Sequence, residues 1–138
     1  MRIRARARLR AGVESPSQTV LVVDDDASIR FLCRVNLEMD GWTVRDAGSI
    51  DEAREALASG NVEALLLDVH VGTKSGVEFL TEVRRDYPGL PVAMLTGSVG
   101  SPTLEGVRTE AVISKPFTLE QLTGTVRSLV PRQELQAG

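Results

Sequence analysis

Short apolar runs alternate with helical patterns from residue 19 onward. Four runs are dominated by apolar residues and end at polar ones: TVLVV (19–23), ALLLD (64–68), PVAMLT (91–96) and AVIS (111–114). The first three runs predict strands that are buried on both faces of a sheet, and AVIS is a shorter fourth run. The run WTVR (42–45) alternates apolar and polar positions instead, which predicts a half-exposed edge strand.

Helical periodicity fills the intervals between these runs. Residues 27–39 and three later stretches repeat apolar side chains every three or four positions, which predicts four amphipathic helices. Capping boxes, Ser49 with Glu52 and Thr118 with Gln121, mark the starts of the second and fourth helices. The residues predicted to face the core are Ile29, Leu32, Cys33 and Leu37, then Ile50, Ala53 and Leu57, then Val77, Leu80, Val83 and Tyr87, and finally Leu119, Leu122, Val126 and Leu129.

Strict alternation of strands and helices predicts the fold class. Five strands and four helices in this order indicate an α/β domain with a single doubly wound parallel sheet and helices on both faces. The stretch 97–110 interrupts the pattern, because it is crowded with glycine and also contains Pro102. A short helix capped by Ser101 is one alternative there, and the conformation of the stretch stays open.

Length and charge suggest three segments. Residues 1–18 read as a basic, disordered tail and linker, residues 19–131 as the folded domain, and residues 132–138 as a C-terminal tail. The first ten residues hold five of the 16 basic residues, so the remainder carries 11 basic against 19 acidic residues, a net charge of −8. Such an acidic body argues against nucleic-acid binding by the folded domain. The role of the arginine-rich segment and the oligomeric state stay open.

Two further observations concern the compartment. Cys33 is the only cysteine, which excludes an internal disulfide and favours the reducing cytoplasm. The sequence contains no apolar stretch of the length that a membrane span needs, so no membrane association is predicted.

Charged and hydroxyl side chains follow the predicted strands at the points where they end. These residues are Asp24, Asp25, Asp68, Thr96 and Lys115, with Asp26 assigned to the N-cap of the first helix. Ligands of open parallel sheets bind outside the carboxyl ends of the strands, so we expect these groups to converge there. Clustered carboxylates suit a hard divalent cation such as Mg²⁺, and a lysine with a hydroxyl suits phosphate oxygens.

Four sequence pieces in this order, VVDDD, LLLDVHVGTKSG, MLTGS and SKPF, resemble the response-regulator receiver domains of bacterial two-component signalling. The resemblance covers about residues 19–130 and implies the flavodoxin-like strand order 2-1-3-4-5. It also implies a phosphoprotein that takes a phosphoryl group from a sensor histidine kinase or a histidine phosphotransfer protein. Such a domain signals through a phosphorylation-dependent contact with a downstream protein, here unknown. It promotes its own phosphorylation and dephosphorylation without being a turnover enzyme.

The resemblance also implies a role for each residue of the motif. Asp68 corresponds to the phosphoacceptor, and Mg²⁺ or Mn²⁺ corresponds to the cofactor. The implied metal ligands are Asp24, Asp25, Asp68 and the backbone carbonyl of His70, and the implied phosphate-binding switch residues are Thr96 and Lys115.

Three more positions are implied by the same motif. Gly76 and Pro116 correspond to supporting residues, the proline often following a cis bond. Val112, on the output face, stands where the family commonly has tyrosine or phenylalanine. We expect Val112 to be a passive packing residue, and phosphorylation to act through Thr96 and ordering of residues 97–108.

Two alternatives use the same residues. The Asp-x-Asp of residues 24–26 resembles haloacid-dehalogenase-type phosphatases, whose nucleophile would be Asp24. That interpretation lacks the later acid pair and leaves Asp68 without a role. The other alternative is a receiver-like interaction module that works without phosphate, which missing acids would favour; none is missing.

Overall fold

The computed structural model of this chain describes residues 18–97 and 108–131. Within them the strands are β1 (Thr19–Val23), β2 (Thr43–Ala47), β3 (Ala64–Asp68), β4 (His70–Val71), β5 (Lys74–Ser75), β6 (Val92–Thr96) and β7 (Ala111–Ser114). The helices are α1 (Ala27–Met39), α2 (Ile50–Ala58), α3 (Gly76–Asp86) and α4 (Leu119–Leu129). The predictions for the N-terminal tail, for the ordering or short helix within 98–107 and for residues 132–138 lie outside the described residues.

Five of the strands form one parallel sheet in the order β2-β1-β3-β6-β7. Numbered within this sheet alone, that order is 2-1-3-4-5, so the predicted fold class and strand order are confirmed. Strands β1, β3 and β6 are buried throughout, whereas the edge strand β2 alternates between buried and more exposed positions. The short strands β4 and β5 form a separate antiparallel pair directly after β3.

Each face of the sheet carries its own apolar core. Helices α2 and α3 cover one face, and α1 and α4 cover the other. Most of the predicted core residues are buried or partly buried, but Phe79 is also buried and was not predicted. Leu32 is 39% exposed and Leu119 is 44% exposed, contrary to prediction. Leu32 lies about 100° around the helix from Cys33, which places it at the margin of the sheet-facing stripe.

Side-chain caps fix the starts of the helices. Asp26 caps α1 as predicted and accepts a bond from Ser28 N at 2.9 Å. The capping box of α4 has both of its reciprocal bonds. The box predicted at Ser49 is only half formed, because Glu52 Oε1 accepts from Gly48 N at 2.7 Å and not from the Ser49 amide.

Helix length bears on the membrane prediction. The longest helix in the described part of the chain has 13 residues. None of the helices in these residues has both the length and the apolar character that a membrane crossing requires.

Candidate functional site

The candidate site lies at the carboxyl edge of the parallel sheet. Asp24 follows β1, Asp68 ends β3, Thr96 ends β6 and Lys115 follows β7. Because β1 and β3 are neighbours, their terminal acids are brought side by side. Carboxylate oxygens of Asp24, Asp25 and Asp68 all lie within 4.8 Å of one another. The structure therefore brings together the acids that the strand ends predict to converge.

Asp24 is fully buried and is anchored through both its side chain and its backbone. Its Oδ1 accepts from Asp26 N at 2.9 Å, and its Oδ2 accepts from Lys115 Nζ at 2.8 Å. Its amide donates to Ala47 O at 3.1 Å, and its carbonyl accepts from Arg30 Nη1 at 2.7 Å. These contacts hold a carboxylate in a place where water could not compensate its charge.

Lys115 supplies the compensating charge. Its Nζ also lies 3.4 Å from Asp68 Oδ1, so it reaches both of the less exposed acids. Burial acts to lower the pKa of this ammonium, but the hydrogen bond and charge of Asp24, and then of Asp68, outweigh it and raise the pKa. The backbone amide of Lys115 donates to Thr96 O at 2.7 Å, which ties its loop to the neighbouring strand. Lys115 is therefore a fixed cation between two carboxylates.

Asp68 is in a different electrostatic position. Its side chain is 12% exposed. Burial first, and then the negative charge of Asp24, raise its pKa to about 6, against the opposing effect of Lys115. At neutral pH the group is mostly ionised but poorly compensated. Such a carboxylate favours a bound cation or an electrophile.

The three acids fit a hard divalent cation. Asp25 is exposed, whereas Asp24 is fully buried and the side chain of Asp68 is 12% exposed, so the cluster is open to solvent on one side. Three carboxylates face one ammonium, which leaves an excess of negative charge. Oxygen ligands with space for water are the set that Mg²⁺ prefers. His70 begins β4 and pairs with Ser75, and its part in metal binding stays a prediction.

Gly76 keeps the backbone of Asp68 in place. Its amide donates to Val69 O at 2.6 Å, and a Cβ built at this position would lie 1.9 Å from Asp68 O. No side chain fits between these backbones, so glycine is required there. Ser75 caps α3 immediately before it, which fixes where the helix begins.

The remaining predicted residues lie on β6, on β7 and directly after Lys115. Thr96 is buried at the end of β6. The bond between Lys115 and Pro116 is cis, as the resemblance implies. Val112 is 49% exposed on β7 and lies opposite Met94, and its passive role stays a prediction.

Sequence reasoning missed two residues beside the acids. Arg30 on α1 bonds Asp24 O and pairs with Asp46, whose Oδ2 lies 3.0 Å from Arg30 Nε. Asp46 sits near the carboxyl end of β2, and the same strand-end rule that singled out the other acids would have found it. No comparable signal marks Arg30, since arginines are common on helix surfaces.

Comparison with known proteins agrees with this geometry. Residues 20–127 match the family model described as "Response regulator receiver domain". The chain is similar to the response regulator MprA of Mycobacterium ulcerans, 36% identical over 123 residues, covering 87% of this chain and 53% of that protein. It is also similar to TcrX of Mycobacterium tuberculosis, a probable transcriptional regulatory protein, 31% identical over 120 residues, covering 83% of this chain and 50% of that protein.

Two solved structures show the same architecture. The chemotaxis protein CheY4 of Vibrio cholerae superimposes with a TM-score of 0.77 at 29% identity, covering 83% of this chain and 100% of CheY4. The response regulator TrrA of Thermotoga maritima, solved in complex with Mg²⁺ and BeF, gives 0.74 at 26% identity, covering 82% of this chain and 99% of TrrA. The chain spans about half the length of the curated relatives it matches.

Proposed function

This chain belongs to the response regulator receiver domain family, and on that premise we propose that it accepts a phosphoryl group on Asp68. The donor is a sensor histidine kinase or a histidine phosphotransfer protein. The proposal rests on the contact of one ammonium, Lys115 Nζ, with both Asp24 and Asp68 at the carboxyl edge of the sheet. That arrangement puts a nucleophilic carboxylate beside a cation that can bind the oxygens of an incoming phosphoryl group.

The proposed reaction is an in-line displacement. An oxygen of ionised Asp68 forms a bond to phosphorus while the phosphorus–nitrogen bond of the donor phosphohistidine breaks, and the departing imidazole keeps that bond's electron pair. Lys115 Nζ, 3.4 Å from Asp68 Oδ1, binds an oxygen of the transferred group. The Thr96 hydroxyl binds another. Attack of water on phosphorus then breaks the bond between phosphorus and the Asp68 oxygen, which releases inorganic phosphate and returns Asp68 to its carboxylate.

Asp24, Asp25 and Asp68 would hold the metal, with the His70 carbonyl as a further ligand. Mg²⁺ or Mn²⁺ would supply neutralisation of the charge that develops on the phosphoryl oxygens. The crowding of three carboxylate groups within 4.8 Å supports this part of the proposal. TrrA, solved with Mg²⁺ and BeF, supports it by similarity.

The output is a phosphorylation-dependent contact with a downstream protein. The receiver comprises residues 19–131, and its chemistry is self-modification without turnover of a free substrate. The matched region is about half of each curated relative, so any output activity in the rest of those proteins is a property of the relatives. We place the domain in the cytoplasm, where histidine kinases present their phosphoryl groups and where the thiol of Cys33 stays reduced.

The test locates the phosphoryl group. The chain is treated with acetyl phosphate and Mg²⁺, the acyl phosphate is trapped by borohydride, and peptides are sequenced by mass spectrometry. We expect modification at Asp68 and its loss in Asp68→Asn. Asp51→Asn is the matched control, since Asp51 is 79% exposed and lies away from the cluster on α2.

The outcomes separate the alternatives. Modification of Asp24 would identify a phosphatase-type nucleophile, although both oxygens of that buried carboxylate already accept hydrogen bonds. Absence of any modification, from acetyl phosphate or from phosphorylated kinases, would identify an interaction module. Full modification of Asp68→Asn would overturn the assignment of Asp68.

A further inference from the structure

We propose that Arg30 is a positioning residue of the acidic site, which fixes the peptide unit joining Asp24 to Asp25 and so orients the acids for metal binding. The proposal goes beyond the proposed function but rests on it for the identity of the metal. Arg30 touches neither the phosphoryl group nor any carboxylate oxygen of the cluster in the contacts described above.

The first step is the contact with the backbone. Arg30 Nη1 donates to Asp24 O at 2.7 Å. This oxygen belongs to the same planar unit as the amide nitrogen of Asp25. A donor held on the oxygen therefore restricts rotation of the plane from which Asp25 starts. A charged donor makes this bond stronger than one between neutral groups.

The second step is that further hydrogen bonds hold the backbone and the carboxylate of Asp24, whereas none of these bonds involves Asp25. The Asp24 amide donates to Ala47 O, and its carboxylate is bonded to Asp26 N and to Lys115. Asp25 is exposed, and its direction depends on the peptide unit before it. The hydrogen bond from Arg30 Nη1 to Asp24 O fixes the orientation of that peptide unit.

The third step is that Arg30 is itself oriented. Its Nε donates to Asp46 Oδ2 at 3.0 Å, and its side chain is only 22% exposed. Asp46 Oδ1 accepts from Arg34 Nη2 at 2.9 Å, so the Asp46 carboxylate pairs with two guanidinium groups. Strand β2 thus supports the loop of residues 24–26 through Asp46 and Arg30.

Arg34 gives a matched control. Like Arg30, it binds one oxygen of Asp46 and one backbone carbonyl, but its carbonyl is Val44 O at 2.8 Å on β2. The two arginines share the ion pair with Asp46 and differ in whether they hold the loop of residues 24–26. Arg34 Nη1 also donates to Glu38 Oε2 at 3.0 Å, a contact within α1. A lysine keeps the charge but lacks the planar fork that makes both bonds.

Gly48 gives an independent perturbation. A Cβ at this position would lie 2.9 Å from Arg30 Nη1 and 3.3 Å from its Cζ, and the backbone of Gly48 is not in the left-handed region. Gly48→Ala therefore displaces the guanidinium group while every charged side chain remains in the protein.

The experiment compares Arg30→Lys, Gly48→Ala and Arg34→Lys with the native chain. Calorimetric titration gives the Mg²⁺ dissociation constant, urea unfolding gives stability, and amide exchange in chelator reports the loop of residues 24–26 without metal. We expect about tenfold weaker Mg²⁺ binding in Arg30→Lys and Gly48→Ala, because supporting partners of ligands commonly contribute that much. Arg34→Lys should bind within about twofold of native at a similar loss of stability, and exchange at Asp25 and Asp26 should rise only in the first two variants.

Two results would overturn the proposal, and a third would separate it from the proposed function. Equal Mg²⁺ affinity in Arg30→Lys and Arg34→Lys would show that the ion pairs serve stability alone. Native affinity and native exchange in Gly48→Ala would show that the position of the guanidinium does not matter, and this variant decides the matter if Arg30→Lys fails to fold. A native chain that binds no Mg²⁺, yet shows faster exchange in Arg30→Lys, would refute the metal of the proposed function and leave the clamp standing.

Discussion

Lys115 Nζ lies 2.8 Å from Asp24 Oδ2 and 3.4 Å from Asp68 Oδ1, so its closer ion-pair partner is Asp24. The resemblance implies that Lys115 binds the phosphate. In the unmodified chain, Lys115 compensates a carboxylate that is fully buried. It therefore stabilises the fold before it takes part in any reaction.

Replacement of Lys115 by methionine should destabilise the metal-free chain by about 3–5 kcal/mol, because removal of one partner leaves a buried charge unpaired. Urea unfolding in chelator measures this loss. Saturating Mg²⁺ should recover part of it, and the Mg²⁺ dissociation constant should fall, since a neighbouring positive charge has been removed. Lys74→Met is the control, because Lys74 is exposed on β5. Equal losses in the two variants would contradict the compensating role.

The acids that follow β1 should separate metal binding from helix stability. Asp25→Ala should weaken Mg²⁺ binding strongly with little loss of stability, because Asp25 is exposed and belongs to the acid cluster. Asp26→Ala should do the reverse, because its carboxylate caps α1 through Ser28 N. Calorimetry and thermal unfolding of both variants check the division. Equal losses of Mg²⁺ affinity would refute it.

Gly76→Ala should destabilise the chain by about 2–3 kcal/mol, at the upper end of the cost of inserting a methyl group. The reason is the 1.9 Å approach of the added Cβ to Asp68 O. Because the displaced carbonyl belongs to Asp68, phosphorylation by acetyl phosphate should slow as well. Gly89→Ala is the matched control, since a Cβ there meets nothing within 4 Å. A Gly76→Ala chain as stable and as reactive as this control would disprove the backbone contact.

Ionisation of Glu110 should make the free energy of unfolding depend on pH in acidic solution. Burial acts to raise its pKa, but the Val92 amide at 2.7 Å and then Arg84 at 2.6 Å outweigh burial, so the pKa lies below its ordinary 4.5. A lowered pKa in the folded chain means that the stabilisation is complete above the unfolded value and is lost as pH falls through the folded one. Glu110→Gln keeps the acceptor oxygen and removes the charge, which should cost about 1 kcal/mol at pH 7.

The measurement is urea unfolding of both chains from pH 7 down to pH 3. The difference between them should stay constant above the ordinary pKa of 4.5 and shrink below it. Glu55→Gln, at an exposed position of α2, is the control for the substitution itself. A difference that grows as the solution becomes more acidic would have the wrong sign and would reject the assignment.

Continuous apolar runs made the strands easy to predict. TVLVV and ALLLD begin and end where the structure has them, because a strand buried on both faces tolerates few polar residues. AVIS also begins and ends as predicted, although β7 lies at an edge of the sheet and only Ile113 of it is buried. The strand predicted from residue 91 begins at Val92, since proline has no amide hydrogen for the ladder. The convergence of the acids followed from the same topology, because parallel strands send their carboxyl ends to one edge.

Contacts made by flexible side chains could not be predicted in this way. The pairing of Arg30 with Asp24 O and Asp46 depends on helix α1 directing one guanidinium group toward both the loop after β1 and the end of β2. Arg45 is a second case: it leaves the edge strand β2 and donates to the carbonyls of Ala56 and Gly60 at the end of α2. A periodic pattern shows which face of an element is apolar, but not which backbone oxygen a long polar side chain will reach.

The sequence separation between Asp24 and Lys115 determines when the site can be completed during synthesis of the chain. Asp24 and Lys115 are 91 residues apart, and the cation is the later of the two. At about 5–20 residues per second, a ribosome adds the lysine roughly 5–18 s after the first acid. Until then, β1 and β3 can pair while their terminal carboxylates lack this cation. A nascent chain stalled before residue 115 would therefore carry the acids in an uncompensated state, and reactivity toward a phosphoryl donor would mark chains whose synthesis has passed β7.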